Sequence, residues 1–390
     1  MVTFVTYGSL PIVIVPLMVW VGMLVLRGGF WRADQRLEFT PTVQAFKDWP
    51  EVICVIPARN EALTISKTVM SLMDQTYPGN FSIIVVDDNS EDGTSIILNA
   101  IARRPRFLHV VSGKPIEQGW SGKLWAVHQG LEKARNVAPE ASYVLLTDAD
   151  ITHDKDSLLR LVIKARSGNL NLVSLMARLR ADSFWEKLLI PPFIFFFQKL
   201  YPFSWVNDPK RATAAAAGGC MLVRRSALDS IGGVEPIRKR LIDDCQLAQL
   251  LKKKGPIWLG LTNQVVSQRS YDNLHEIWNM VARTAFEQIG NSFIALIGTV
   301  FAMFTIYLLP PIVTFSFLLG GPLELVVGGL ISWVLMIVAF QPTLSFYRFS
   351  LAWSLLLPVS AFLYTLMTIS SAIRCMRGRG GAWKGRHYMT

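Results

Sequence analysis

The sequence predicts an α/β domain whose mostly parallel sheet carries helices on both faces, flanked at both ends by transmembrane helices. Three observations predict it: strand and helix patterns alternate from residue 50 to 150, charge is concentrated between residues 50 and 290, and long apolar runs lie outside that stretch. Across 390 residues, 51% are hydrophobic and the mean hydropathy is +0.35. That balance is too apolar for an ordinary soluble enzyme of this length.

Taken in order, residues 9–26 ("SLPIVIVPLMVWVGMLVL") are uncharged and long enough to cross a bilayer. No basic residue precedes them and no small-residue cleavage site clearly follows, so an uncleaved anchor is expected over residues 1–30. "VICVIP" at 52–57 reads as a buried strand, "EALTISKTVMSLMDQ" has a helical period, and "SIIVVDD" at 82–88 is a second strand. A helix near 92–103, the strand "LHVVSG", a helix near 122–134 and the strand "YVLLTDAD" continue the alternation. This defines a soluble domain over residues 50–285. Residues 184–205 ("FWEKLLIPPFIFFFQKLYPFSW") are aromatic-rich, cut by Pro191-Pro192 and bounded by lysines. They suit an interfacial helix or wedge, with core packing as the alternative. Three further membrane segments follow within residues 286–375, the first broken or kinked at Pro310-Pro311, and a basic tail occupies residues 376–390.

The basic flanks "RGGFWRADQR" and "RCMRGRGGAWKGRH" both favour the cytoplasmic side. One anchor plus three complete spans puts the tail on the wrong side. Either one late segment is re-entrant or interfacial, or a span is divided differently. The formal net charge of +11 arises from clusters such as Arg238-Lys239-Arg240 and Lys252-Lys253-Lys254. In a membrane-anchored domain these face anionic headgroups, so no nucleic-acid partner is expected. Cys54, Cys220, Cys245 and Cys375 lack C-x-x-C spacing and are expected as reduced thiols.

An Asp-x-Asp triplet such as Asp148 and Asp150 is, alone, most often a solvated turn. Position changes its weight. In sheets of this type ligands bind beyond the carboxyl ends of the strands, where Asp87 and Asp88, Asp148 and Asp150, and the turn "PARNEA" are all expected. A nucleotide diphosphate with a metal would use carboxylates for the base or ribose, carboxylates for the cation, and a helix terminus for phosphate.

"VIPARNEA", "VVDDNSEDGT", "GWSGKLWA", "LLTDAD", "GGCMLVRRSALDSIGG" and "IDDCQLAQLLKKKG" occur in the order seen in family 2 glycosyltransferases, and the match covers roughly residues 50–285. Within that family the chain most resembles the bacterial hopanoid-associated glycosyltransferases, relatives of the ceramide glucosyltransferases. The resemblance implies a Rossmann-like GT-A fold, a UDP-sugar donor, a divalent metal (Mn²⁺ or Mg²⁺) and a membrane lipid acceptor, here a hopanoid. It also implies a multi-pass protein of the bacterial inner membrane with its catalytic domain facing the cytoplasm.

The implied roles fall on individual residues. Asp88, with Asp87, matches the motif that holds uridine, and Pro57, Arg59 and Glu61 match the first nucleotide-contacting turn. Asp150 matches the metal-reaching aspartate, and Asp148 its partner on the metal and toward the nucleotide. Lys123 matches a basic position near the donor; a solvated lysine at a helix start is the competing reading. Asp244, beside Asp243, matches the aspartate of the family's E-D motif and the expected base, although a first-turn acid of a helix predicts the same residue type. Where polymerising members carry Q-x-x-R-W, this chain has Met280, Arg283 and Thr284. Processive synthesis is therefore disfavoured; Arg283 stands either as a diphosphate partner or as a plain juxtamembrane arginine. A polyprenyl phosphate, a sphingolipid-like lipid or a glycerol lipid is the alternative acceptor. A transporter or a non-catalytic nucleotide-binding protein remains the reading from another class, although the late apolar segments offer almost no polar groups for transport.

Overall fold

The computed structural model describes residues 3–37, 47–103, 107–378, 382–383 and 386–387. The rest of the basic tail lies outside the described residues. After α1 (Thr3–Leu26) the chain alternates as β1 (Val52–Ala58), α2 (Ile65–Met73), β2 (Phe81–Asp87), α3 (Thr94–Ala102), β3 (Leu108–Ser112), α4 (Gly122–Val137) and β4 (Tyr143–Thr147). These strands pair in parallel in the order β3-β2-β1-β4. Both faces of β1 are buried: Ile53 and Val55 pack with Leu124 and Val127 of α4, while Val52, Cys54 and Ile56 pack with Ile65 and Val69 of α2. That two-sided burial explains the unbroken apolar run "VICVIP". Gly130 allows α4 to lie close on β1, because a Cβ there would come within 2.3 Å of Val55.

The second half reads β5 (Ile151–His153), α5 (Ser157–Ser167), β6 (Leu172–Arg178), α6 (Phe184–Leu200), α7 (Phe203–Asn207), β7 (Cys220–Arg224), α8 (Arg225–Ser230), α9 (Asp243–Lys252) and β8 (Ile257–Ser267). It completes an eight-stranded sheet in the order β3-β2-β1-β4-β7-β6-β8-β5. β7 inserts antiparallel between β4 and β6, β8 runs parallel to β6, and β5 is antiparallel on β8. The sheet is thus mixed: β3-β2-β1-β4 and β6-β8 pair in parallel as expected, while β7 and β5 pair antiparallel. The four cysteines are free.

The chain continues with α10 (Leu274–Ala282), α11 (Ala285–Gln288), α12 (Phe293–Met303), a π-helical turn (Phe304–Leu308), α13 (Leu309–Phe315), α14 (Leu323–Tyr347) and α15 (Leu357–Met376), followed by the short paired strands Ala382–Trp383 and Arg386–His387. The irregularity expected at Pro310-Pro311 takes the form of that π turn just before them. Three helical stretches are long and apolar enough to cross a membrane: Phe293–Leu319, Leu323–Tyr347 and Leu351–Met376. The expectation of transmembrane helices at both ends is corrected, because among the described residues all three lie in the C-terminal part and Leu10–Leu26 of α1 is a shorter apolar stretch. α1 packs on that group. Trp20 is fully buried, its indole N–H donates to the Ile306 carbonyl at 3.0 Å, and its ring meets Tyr307 edge-on at 5.5 Å.

α6 also differs from expectation. It runs through Pro191 and Pro192 without interruption, with Leu189, Ile190, Ile194 and Phe195 fully buried. It is a core helix joining the sheet domain to the apolar helices, not a wedge cut at its prolines. The physical reason lies in its partners. Pro192 has no N–H for the Leu188 carbonyl, and the Ser360 hydroxyl of α15 donates to that oxygen at 2.8 Å instead. The Tyr364 hydroxyl donates to the Leu189 carbonyl at 2.8 Å. At its start Ser183 and Glu186 form a capping box, and buried Glu186 also accepts from the Tyr271 N–H at 2.7 Å.

Candidate active site

The carboxyl ends of β1 and β4, the start of α4, the Ala217–Gly219 segment before β7, the start of α9 and the end of β8 converge on one crevice of about 360 Å³. Pro57, Glu61, Lys123, Asp148, Asp150, Asp243, Asp244 and Arg283 all line it. So do Leu179, Phe193, Phe197 and Met280. The polar floor and an aromatic flank therefore belong to one cavity.

Two cations organise the acids. Ser121 caps α4 and sets Lys123 in its first turn, where the ammonium lies 2.8 Å from Asp148 Oδ1 and 3.8 Å from Asp243 Oδ2. Arg269, just beyond β8, lies 3.1 Å from Glu61 Oε1 and 3.2 Å from Asp150 Oδ2. Burial pulls the Lys123 pKa down, but Asp148 and Asp243 outweigh it and hold the ammonium firmly charged. Burial, then the nearby Asp148 charge, pushes Asp150 up to about 6 against the pull of Arg269.

Asp244 occupies the second position of α9, following Asp243 and not in the capping position, which is Ile242. Its Oδ2 accepts from the Gly218 N–H at 2.9 Å and its Oδ1 from the Cys245 N–H at 2.7 Å. Burial, then the Asp243 charge, raises its pKa to about 6, partly offset by Lys123 and the two N–H donors. Glycine at 218 permits this approach: a Cβ there would stand 3.3 Å from Lys123 Nζ and 3.5 Å from Asp244 Oδ2.

Arg59, Asp87 and Asp88 stand apart from this lining. The Arg59 guanidinium donates to the carbonyls of Asp88 and Asn89 at 2.6 and 3.1 Å. Asp87 accepts from the Ser90 N–H at 3.2 Å and from the Ser95 hydroxyl, and Asp88 is fully buried with its N–H donating to the Ala58 carbonyl at 2.8 Å. These residues fasten the β2 end to the β1 turn. Arg269 and Gly218 were not found by sequence reasoning. No motif marks either: Arg269 meets Glu61 across 208 positions of chain, and the role of Gly218 is one of close packing.

The donor set also tests the implied metal. Among the described residues no group of three or more His, Cys, Asp or Glu is arranged to hold an ion. Asp150 with Asp148 fits a cation that takes its remaining ligands from phosphate and water, as Mg²⁺ commonly does, and does not fit an all-protein cage.

A mixed α/β sheet with an acid-lined crevice beyond its parallel strand ends, joined to three helical stretches long and apolar enough to cross a membrane, has the GT-A architecture. Residues 53–232 match the family described as "Glycosyl transferase family 2", and the chain carries a family 2 glycosyltransferase domain. The chain is 27% identical over 243 residues to the probable glycosyltransferase YdaM of Bacillus subtilis, covering 59% of this chain and 54% of that protein. It is 28% identical over 191 residues to the beta-monoglucosyldiacylglycerol synthase of Trichormus variabilis, covering 47% and 38%. The chain thus spans about half or less of the length of these curated relatives. Among solved structures, a mannosyltransferase of Pyrobaculum calidifontis in complex with GDP-Man and Mn²⁺ superposes with a TM-score of 0.55 at 17% identity, covering 94% of this chain and 98% of that one. That likeness establishes the fold.

Proposed function

We propose that the chain transfers a single sugar, with inversion, from a nucleotide-sugar donor to a hydroxyl of a membrane lipid. The observation that carries this reading is the placement of Asp244, held by two N–H donors, in the same crevice as Asp148 and Asp150 and the apolar flank of Phe193, Phe197 and Met280. In the step envisaged, Asp244 takes the acceptor hydroxyl proton while the oxygen bonds to the sugar C1 and the bond from C1 to the diphosphate breaks. Gly218 and Cys245 orient the base. Lys123 and Arg269 bring positive charge to the departing diphosphate. Asp150 and Asp148 would hold a divalent cation, Mn²⁺ or Mg²⁺, which when bound neutralises diphosphate charge.

A uridine donor and a hopanoid acceptor rest on the family resemblance. A glycerol lipid is the second acceptor reading, favoured by the relatives named as beta-monoglucosyldiacylglycerol synthases. Full-length protein in nanodiscs, given UDP- and GDP-sugars and a bacterial lipid extract, is expected to add one hexose mass to a lipid. Mass spectrometry assigns that product to the hopanoid or the glycerolipid fraction. Donor hydrolysis without any glycosylated lipid would overturn the reading.

The packing of α15 supports a location and topology. Near its start Trp353 meets Phe184 at 5.9 Å; at its end Arg374 donates to Asn279 Oδ1 at 2.8 Å, and the Ser371 hydroxyl accepts from the Phe286 N–H at 3.0 Å. Both ends of α15 therefore touch the catalytic side. We infer that Phe293–Leu319 and α14 cross the inner membrane while α15 lies along its cytoplasmic face, which leaves the domain and the basic tail on one side. In right-side-out vesicles an impermeant thiol reagent is expected to label Leu319→Cys and not Arg377→Cys. Labelling of both from outside contradicts this arrangement.

A further inference from the structure

A second cavity of about 1020 Å³ opens between α10 and α15. Its wall carries Arg269, Arg283, Arg374 and Arg377, beside Trp278. Among the described residues, Arg283, Arg374 and Arg377 have no carboxylate within ion-pair distance; the one acid in the wall, Glu276, accepts from the Asp272 N–H and the Asn273 amide, both at 3.0 Å. Arg283 and Arg377 are exposed, and Arg374 is held by Asn279. Trp278 is fixed by its indole N–H, which donates to the Ser370 hydroxyl at 3.0 Å.

The rest of the wall is apolar. Leu366, Ile369 and Ile373 come from α15, which also packs on α10 and α11. Three guanidiniums without carboxylate partners above an aliphatic stripe match a phosphodiester on acyl chains. Basic pockets between helices at the cytoplasmic face of a membrane bind such headgroups, and each nearby cation adds roughly 1 kcal/mol. Free phosphate would use the guanidiniums and leave the stripe without a partner.

We propose that this cavity binds the phosphodiester headgroup of an anionic phospholipid that is not a substrate. Arg283, Arg374 and Arg377 grip the phosphate, and Leu366, Ile369 and Ile373 face its chains. The site adjoins the crevice, because Arg269, Tyr271, Met280 and Arg283 line both cavities. An occupied headgroup site thus seats the catalytic domain on an anionic membrane without taking part in sugar transfer.

The test reads binding, so its failure is distinct from failure of the transfer reading. Full-length protein in neutral detergent is titrated with short-chain phosphatidylglycerol, short-chain phosphatidylcholine and inorganic phosphate, with bound lipid counted by native mass spectrometry. Phosphatidylglycerol is expected to bind about tenfold or more tighter than phosphatidylcholine, and the exposed-site variant Arg377→Gln to weaken it about tenfold, with Arg374→Gln weakening it further. Arg374→Lys, which keeps the charge, is expected to restore most of the binding. Equal retention of the two lipids, or no change in Arg377→Gln, would overturn the site. Displacement of phosphatidylglycerol by phosphate at equal concentration would overturn the lipid as its ligand.

Discussion

Asp244→Asn is expected to lower sugar transfer by about 10²- to 10⁴-fold while the protein remains folded. The amide oxygen can still accept from the Gly218 N–H, but the amide nitrogen then faces the Cys245 N–H, and an amide cannot take a proton. The wild-type rate carries a matching signature. Asp244 must be ionised to act as a base, and its pKa is raised to about 6 by burial and Asp243, so activity is expected to fall as pH drops through about 6. Lys123, Tyr201 and Cys245 are the other titratable groups that face it. The stability effect has the opposite sign. A carboxyl whose pKa is higher in the folded state than its ordinary 3.8 binds protons more tightly when folded, so its contribution declines as pH rises from 3.8 through 6. Asparagine relieves a buried charge at pH 7.5 but leaves the Cys245 N–H without its acceptor, so the two effects oppose and the variant is expected to melt within a few degrees of wild type. Initial rates across pH and a thermal melt check both; more than a tenth of wild-type activity in the variant, or no acidic limb in the wild type, contradicts the role of Asp244.

Lys123→Met is expected to reduce transfer about as strongly and, unlike Asp244→Asn, to destabilise the fold. The ammonium is the one cation within 4 Å of Asp148 or Asp243 among the described residues. Its loss leaves two partly buried carboxylates unpaired, at a cost on the order of 3 kcal/mol. It also removes the charge that pulls the Asp244 pKa down, so the acidic limb of any residual activity is expected to move to higher pH. Adding Asp243→Asn removes one of the stranded charges and is expected to recover part of the stability, which a double-mutant cycle measures. Strict additivity of the two substitutions would show that Lys123 and Asp243 do not interact.

The parallel half of the sheet was legible because β1, β2 and β4 are buried on both faces and the intervening helices show one apolar stripe. "VICVIP", "SIIVVDD" and "YVLLTDAD" became β1, β2 and β4 within a residue or two at their starts. The antiparallel strands β5 and β7 were not. β5 has three residues, too few for a period, and β7 joins β4 through pairing that no local pattern encodes. The acids of the crevice were legible from strand ends and motif order. Their cations were legible only in part: Lys123 sits at a helix start that the sequence marks, whereas Arg269 acts through a fold-wide contact. α6 was misjudged because two prolines normally break a helix, and the hydroxyl that takes the orphaned carbonyl lies 172 positions away on α15.

The junction below α1 carries a consequence of its own. The Arg27 guanidinium donates to the carbonyls of Lys199 and Leu200 at 3.0 and 3.3 Å and lies 5.2 Å from the Trp205 ring centre, while the Ser204 hydroxyl donates to the Gly28 carbonyl at 2.5 Å. These contacts bolt the end of α1 to the end of α6 and to α7, and α6 also holds the aromatic flank of the crevice. The crevice cannot tilt or rise independently of the apolar helices, so it works as a depth gauge. On the proposed reading, an acceptor hydroxyl is expected to react when its own lipid carries it to that level, and headgroup height then joins chemical identity as a ground for selection.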